Sequence, residues 1–231
     1  MYFPRVPIVW DRLEQLSLHP IIGVGNSIPL TPELHQISKT LRRLRMAHRS
    51  SPTRLIALLA DNLTHLELIS SWGGPSETSL FQVVLGSCAR LESLRLIGCP
   101  LVTHSVYFRQ YPRALPWLRD FGIRFAPAHS VAKDPDFFLA ICDFLRDRPI
   151  LESLELLPYS QEIGQTIFGF DVRVWEFLSS LQHLRILSTF MLNTIPHQRM
   201  VHLIPRSVTT LTVSMCDWHL ELLLRKVRSS E

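Results

Sequence analysis

The sequence predicts a curved α/β solenoid, in which parallel strands line the inner side and helices lie on the outer side. Three observations lead to this fold class. A hexamer with apolar residues at its first, fourth and sixth positions occurs eight times, with successive copies beginning 22 to 33 residues apart. The second half of the hexamer alternates apolar with other residues, as a strand with one buried face does. The spacers carry helix start signals and apolar residues at helical spacing.

Each hexamer is expected to begin one repeat. A period of about 28 residues accommodates a strand, a helical crossover and a return to the next parallel strand. We therefore expect a single domain over residues 1–231 with eight irregular repeats and no second domain. The hexamers LEQLSL, LRRLRM, LTHLEL, LESLRL, LRDFGI, LESLEL, LQHLRI and VTTLTV begin at residues 13, 41, 63, 91, 118, 151, 181 and 208.

Most spacers read as helices with recognisable starts. Ser51, Ser76, Asp134 and Asp171 stand where N-caps are expected, just before apolar-periodic segments. The helix after Asp134 is predicted to point four residues inward: Phe138, Ile141, Cys142 and Leu145. A shorter helix is predicted over IPHQRMVHLIP, which begins at residue 195.

Composition excludes several function classes. Hydrophobic residues make up 46% of the 231 positions, which favours a sizeable core over disorder. The net charge of +4 is too small to predict a nucleic-acid partner. No run of about 18 apolar residues predicts a membrane span. The first residues lack a cationic start followed by an apolar stretch, so we expect an intracellular protein, cytoplasmic or nuclear.

The residues also give no indication of catalysis. The sequence has no phosphate-binding loop, no GxSxG, no HExxH and no paired-carboxylate motif, so we expect neither an enzyme nor a cofactor. Cys88, Cys99, Cys142 and Cys216 lie far apart without a CxxC pair, which predicts free thiols and no metal site.

One segment identifies the type of repeat. CARLESLRLIGCPLVT, residues 88–103, resembles the cysteine-containing leucine-rich repeat, whose expected form is C-x-x-L-x-x-L-x-L-x-G-C-x-x-V-T. The leucine spacing extends the resemblance over nearly the whole chain, whereas the cysteine pattern covers this one repeat. The resemblance implies that Cys99 is a buried, reduced thiol packed in the turn beneath the next repeat.

Repeats of this type are found above all in F-box proteins, the substrate receptors of cullin-type ubiquitin ligases. The irregular spacing looks like that of divergent fungal F-box proteins. The resemblance implies the substrate-recognition part of such a receptor, or a fragment of one. Because the first hexamer begins at Leu13, no F-box is expected in this sequence. A ubiquitin-ligase adaptor is then a partner only if an F-box lies upstream. The alternative is a free-standing leucine-rich-repeat scaffold unrelated to ubiquitination.

The concave face is the expected site for a protein partner. Strand alternation places two residues of each repeat there. At the first of these positions we expect Arg95 beside Glu67, and Glu155 beside Arg185. At the second we expect Ile69 beside Ile97, and Leu157 beside Leu187. Apolar neighbours flanked by charges fit a protein interface. Mutual neutralisation of the charges on a solvated face is the competing interpretation. The expected protein-binding residues are Ile69, Ile97, Leu157, Leu187, Arg95, Glu155 and Arg185.

Overall fold

Eight strands form one sheet in which every neighbouring pair is parallel and the spatial order follows the chain order. The computed structural model describes residues 12–18, 37–48, 53–70, 77–98, 105–125, 133–158, 161–191 and 202–214. Strands β1 to β8 span Gln15–Leu18, Arg43–His48, His65–Ser70, Ser93–Ile97, Asp120–Arg124, Ser153–Leu157, Ile186–Phe190 and Thr210–Ser214. The predicted alternation of parallel strands and helices is therefore confirmed.

Helices connect the strands from β2 to β7. Within the described ranges they are α1 (Thr53–Leu59), α2 (Glu77–Ser87), α3 (Ser105–Gln110), α4 (Phe137–Leu145), α5 (Gln161–Thr166) and α6 (Val172–Ser179). None of the helices in these ranges combines the length and the hydropathy that a membrane span requires. Most of the segment predicted as a helix from residue 195 lies outside the described residues, as do Ser51 and Ser76.

Seven strands begin two residues after the start of a predicted hexamer, but the seventh hexamer was placed in the wrong frame. Strand β7 begins at Ile186, five residues after Leu181. Helix α6 runs to Ser179, so Leu181 is still needed to close the turn that follows the helix. The buried motif positions are therefore Leu184, Leu187 and Thr189. The pattern favoured the wrong frame, because LQHLRI has apolar residues at all three motif positions, whereas the frame in the structure has Thr189 at the third.

The core lies between the sheet and the helices. In β4, Leu94 and Leu96 are buried while Arg95 between them is exposed, as strand alternation requires. The parallel register stacks equivalent inward residues of neighbouring strands, so the core is continuous through the described repeats. One inward position is occupied by Leu16, Leu44, Leu66, Leu94, Phe121, Leu154, Leu187 and Leu211.

A network of phenylalanines fills the middle of this core. Within the described ranges Phe108 contacts four other phenylalanine rings, of which Phe144 is the nearest at 5.1 Å between centroids. Phe125 stacks on Phe168 at 4.8 Å. Rings of this size bury large apolar areas, and most of these pairs pack edge to face or tilted. The network as a whole comprises Phe81, Phe108, Phe121, Phe125, Phe137, Phe138, Phe144, Phe168, Phe170 and Phe190.

Backbone N–H groups at the helix starts donate hydrogen bonds to carboxylates, in one case within the same strand–helix unit and in another from the next unit. Asp171 caps α6 as predicted, because its carboxylate accepts a hydrogen bond from the Arg173 backbone N–H at 2.8 Å. The expected capping of α4 by Asp134 is wrong, since Asp136 occupies the N-cap position. The buried Asp134 carboxylate instead accepts a hydrogen bond from the Ser105 N–H at the start of α3, at 3.0 Å. A free helix N–H of one repeat is thus satisfied by the next repeat.

Gly169 has a backbone conformation that only glycine adopts readily. Its φ is +65°, and a Cβ would lie 1.8 Å from the carbonyl oxygen of Pro135. The residue therefore permits close contact between the segment before α4 and the segment before α6.

Replacing Gly169 with alanine is expected to destabilise the protein by about 2–5 kcal/mol, from the left-handed backbone and the steric overlap. Gly86 gives a matched control, because it lies on the exposed side of α2 and a Cβ there meets only Tyr111 at 3.7 Å. Gly86→Ala should stabilise the helix by about 0.5–1 kcal/mol. Urea unfolding of both variants measures the difference. Equal unfolding free energies for Gly169→Ala and the wild type would contradict the assigned backbone conformation.

Candidate functional site

The side of the sheet away from the core is polar and accessible, and we call it the open face. It carries the first, third and fifth residues of the strands, such as Ser93, Arg95 and Ile97 of β4, except that the fifth residue of β7, Phe190, is buried. Because the strands are parallel and in register, equivalent residues line up across the sheet in rows. The open face is thus a continuous surface to which all eight strands contribute.

Three rows cross the open face. The first row contains Gln15, Arg43, His65, Ser93, Asp120, Ser153, Ile186 and Thr210. The middle row contains Ser17, Arg45, Glu67, Arg95, Gly122, Glu155, Ser188 and Thr212. The last row contains Ala47, Ile69, Ile97, Arg124 and Leu157.

An ion pair between the first and middle rows lies at the centre of this face. Arg95 donates to both carboxylate oxygens of Asp120, from Nε at 2.8 Å and from Nη2 at 3.1 Å. The Ser93 hydroxyl donates to the same carboxylate at 2.6 Å. A two-pronged contact of this kind fixes the orientation of both side chains. Arg95 is therefore held in place although nearly half of its side chain is exposed.

Two further ion pairs join neighbouring strands. The Arg124 guanidinium contacts Glu155 Oε1 through Nε at 2.7 Å and Nη2 at 2.6 Å. Arg45 and Glu67 are 3.4 Å apart in the middle row. Gly122 lies between Arg95 and Glu155, and a Cβ there would lie 3.3 Å from Arg95 Cγ. The small residue thus leaves room for the two long side chains on either side.

The charged state of the central pair is favoured by its surroundings. Burial acts to raise the pKa of the Asp120 carboxyl, but hydrogen bonds from Arg95, Ser93 and Ser153 outweigh it and hold that pKa below its ordinary value. The pKa of Arg95 is raised, first by its hydrogen bond to Asp120, against the effect of partial burial. Both groups are therefore ionised at neutral pH.

Most of the predicted binding residues are on the open face. Ile69 and Ile97 are adjacent in the last row, as expected, and both are half-buried. Leu157 lies in the same row, beside Arg124. Arg95 and Glu155 share the middle row but lie on either side of Gly122. The placement agrees with the sequence analysis, while binding by these residues stays a prediction.

Two of the predicted binding residues are misplaced. Leu187 is fully buried opposite Leu154, so it belongs to the core and does not extend the strip from Leu157. Arg185 precedes β7, where its backbone N–H bonds the carbonyl of Glu152, and Ser188 stands beside Glu155. Both errors follow from the three-residue frame shift in the seventh repeat.

The sequence analysis missed the ion-pair partners of Arg95 and Glu155 on the open face. Arg95 pairs with Asp120 rather than Glu67, and Glu155 pairs with Arg124 rather than Arg185. It also missed Ile186, whose side chain is 44% exposed on the first row. The position of Asp120 could have been predicted, because Ser93, Asp120 and Ser153 each stand two residues after a hexamer start and parallel strands align such positions.

The described cysteines do not form a reactive or metal-binding centre. Cys88 and Cys142 are free and buried, and burial is the main cause that raises the pKa of each thiol to about 12. Within the described ranges no cluster of three or more histidine, cysteine or acidic residues has the arrangement of a metal site. Cys99 and Cys216 lie outside the described residues, so the burial of Cys99 stays a prediction.

No protein-family model matches the chain, and no curated protein is significantly similar to it in sequence.

Replacing Asp120 with asparagine is expected to destabilise the protein at pH 7, because Arg95 loses its charged partner. The pKa of Asp120 is lowered in the folded state. Its contribution to the free energy of unfolding is therefore fully present above the unfolded-state pKa of about 3.9, and it is lost as the pH falls through the lower folded-state pKa. The stability difference between wild type and variant should therefore be constant from pH 7 to about pH 5 and shrink below pH 4. Urea unfolding across this range measures it.

Asp143→Asn is the matched control, since Asp143 and its partner Arg146 are both more than 60% exposed. This change should have little effect on the free energy of unfolding anywhere in this pH range. A stability loss at pH 7 that is no greater for Asp120→Asn than for Asp143→Asn would contradict the central role of the Arg95–Asp120 pair.

Proposed function

We propose that the chain is a protein–protein interaction module, built as a curved leucine-rich-repeat solenoid, and that its open face binds a partner protein. The observation that carries the proposal is the alignment of equivalent positions from eight consecutive parallel strands into continuous rows on a face that is accessible to solvent. Repeat arrays commonly use such an extended surface for binding.

Apolar residues supply the contact area for this interface. Ile69, Ile97 and Leu157 are half-buried in the last row, and Ile186 is exposed in the first row. Side chains that keep part of their apolar surface in water gain free energy when a partner covers them. Apolar residues among charged and polar ones match the composition of protein interfaces.

The ion pairs supply specificity. Arg95, Arg124 and Arg45 each contact a carboxylate of a neighbouring strand, so a partner meets charges that are already paired. Binding over such pairs does not leave a desolvated charge without a partner, which would be costly. A fixed pattern of positive and negative groups favours a partner with the complementary pattern.

The more specific proposal is that this module is the substrate-recognition part of an F-box-type ubiquitin-ligase receptor. It is supported by the resemblance of residues 88–103 to the cysteine-containing leucine-rich repeat. Gly98 in that segment has a φ of +69°, in keeping with a turn that requires glycine at this motif position. The second candidate is a scaffold that binds its partner without directing degradation.

Substituting Ile97 or Leu157 by aspartate is expected to weaken capture of the partner while costing only about 1 kcal/mol of stability, because both side chains lie on the open face. Leu94→Ala is the contrasting variant. Leu94 is 1% exposed, so its truncation should cost about 2–5 kcal/mol. A partner identified by affinity purification with the wild type is then quantified for each variant, alongside thermal melts. Undiminished capture by both aspartate variants would refute recognition by this strip.

The two candidate functions differ in the fate of the partner. For a ligase receptor, deleting the gene should lengthen the half-life of the captured partner, and a ubiquitin-ligase adaptor should co-purify with the natural full-length product. For a scaffold, the half-life should not change. Pulse-chase measurement of the partner, with an unrelated short-lived protein as control, separates them.

A further inference from the structure

Two adjoining clefts lie along the end of the sheet at which strands β6 and β7 begin. The smaller, of about 190 Å³, lies against the turn before each of these strands, and the larger, of about 490 Å³, extends towards β5 and β8. Both clefts are lined by Pro149, Gln182 and His183, so they form one continuous depression. This depression, the edge cleft, is separate from the rows of the open face.

Cations dominate its lining. Arg119, Arg146, Arg148 and Arg185 line the edge cleft, and Glu152 is the one carboxylate among the described lining residues. Glu152 is already engaged, because Arg119 donates to its Oε1 at 3.1 Å, and Arg146 is paired with Asp143 at 3.0 Å. Arg185 makes no salt bridge with any residue that the structure describes. The edge cleft therefore carries an excess of positive charge.

Arg148 is the unusual residue of this site. It stands three positions before Leu151, as Cys88 stands before Leu91 and Leu115 before Leu118. In all three cases the leucine N–H donates to the carbonyl of the residue three positions earlier. Cys88 and Leu115 are buried, and so is Arg148, which is 4% exposed. A guanidinium thus occupies a buried position that other repeats fill with uncharged residues.

The contacts of Arg148 hold the guanidinium but do not compensate its charge. Its Nη1 donates to the Phe144 carbonyl, and its Nη2 donates to the carbonyls of Ala114 and, at 3.1 Å, Pro112. The guanidinium carbon lies 3.9 Å from the centre of the Phe144 ring. Its Nε has no hydrogen-bond partner among the described residues. Burial of this charge lowers the pKa of Arg148 to about 10, against a smaller opposite effect of Asp147.

Carbonyl contacts alone are an incomplete explanation for a buried arginine. The contacts of Arg148 with the carbonyls of Pro112 and Ala114 stabilise the turn next to Leu115, whose φ is +54°. A buried cation is nevertheless costly unless a negative charge accompanies it. Arg148 and His183 line the smaller cleft, where such a charge has access from solvent, and Arg185 lines the larger cleft, which shares His183 with it.

We propose that the edge cleft binds an oxyanion, a carboxylate or a phosphate group presented by a partner segment, with Arg148 as the buried charge and Arg185 and His183 as accessible donors. Guanidinium groups match the geometry of both oxyanions. This site goes beyond recognition by the open face, and the two can succeed or fail independently.

The test uses the whole chain and two probes at constant ionic strength, inorganic phosphate and a hexaglutamate peptide. Amide NMR shifts of Gln182, His183 and Ser207 should saturate with one or both probes. If phosphate saturates the amide shifts and the peptide changes them less, the group that the cleft binds is a phosphate. The reverse result indicates carboxylates. Shifts that stay linear, or are absent, with both probes overturn the proposal.

The matched variants are Arg185→Gln and Arg90→Gln. Both arginines are exposed residues near the starts of strands, and Arg90 precedes β4, away from the edge cleft. Arg185→Gln should weaken binding about threefold to tenfold, and Arg90→Gln should leave it unchanged. Arg148→Met, with a thermal melt to check folding, should abolish binding. Equal effects of Arg185→Gln and Arg90→Gln would show diffuse charge attraction and overturn the site.

Discussion

The parallel register of the inward-facing residues is the constraint on which the rest of the structure depends. Each strand has two positions that point into the core, and the register places them against the same two positions of the next strand. A shift by one residue would turn every leucine of a strand to the open face. Because register is fixed by burial, the rows of the open face are fixed as well, including the alignment of Asp120 between Ser93 and Ser153.

The longer repeats in the middle of the chain need more than leucine stacking. From β4 to β7 the space between sheet and helices is filled by phenylalanines that contact one another across repeats. Contacts between repeats extend to polar groups, since the Asp134 carboxylate accepts a hydrogen bond from the N–H of Ser105. Nearest-neighbour coupling of this kind makes the stability of one repeat depend on the next. The open face is thereby supported from beneath by a closely packed core.

The open face and the edge cleft treat charge in different ways. On the open face, three of the four arginines in the rows are paired with carboxylates of adjacent strands, so the field that a partner meets is nearly neutral. At the edge cleft, Arg148 is buried with carbonyl oxygens as its partners, and Arg185 is without an ion pair among the described residues. The first arrangement suits contact with a mixed protein surface, and the second suits a negatively charged group.

The sequence by itself determined the number of strands, their direction and the buried side of every strand except β7, since one hexamer repeated at near-constant spacing encodes burial locally. It also determined that Ile69, Ile97 and Leu157 stay off the core, as the half-buried last row shows. Only the tertiary structure decided the frame of the seventh hexamer, because LQHLRI matches the apolar pattern fully, yet the end of α6 selects the frame LRILST, whose last motif position is Thr189.

Charge pairing was likewise decided by the tertiary structure. Arg95 has carboxylates on both neighbouring strands, Glu67 in its own row and Asp120 in the first row, and only the structure shows that Asp120 accepts its hydrogen bonds. The burial of Arg148, at a position filled elsewhere by uncharged residues, was equally invisible in the sequence. A periodic pattern records which residues avoid water. A long charged side chain can reach several partners at a strand spacing of about 4.8 Å, and three-dimensional geometry makes the choice.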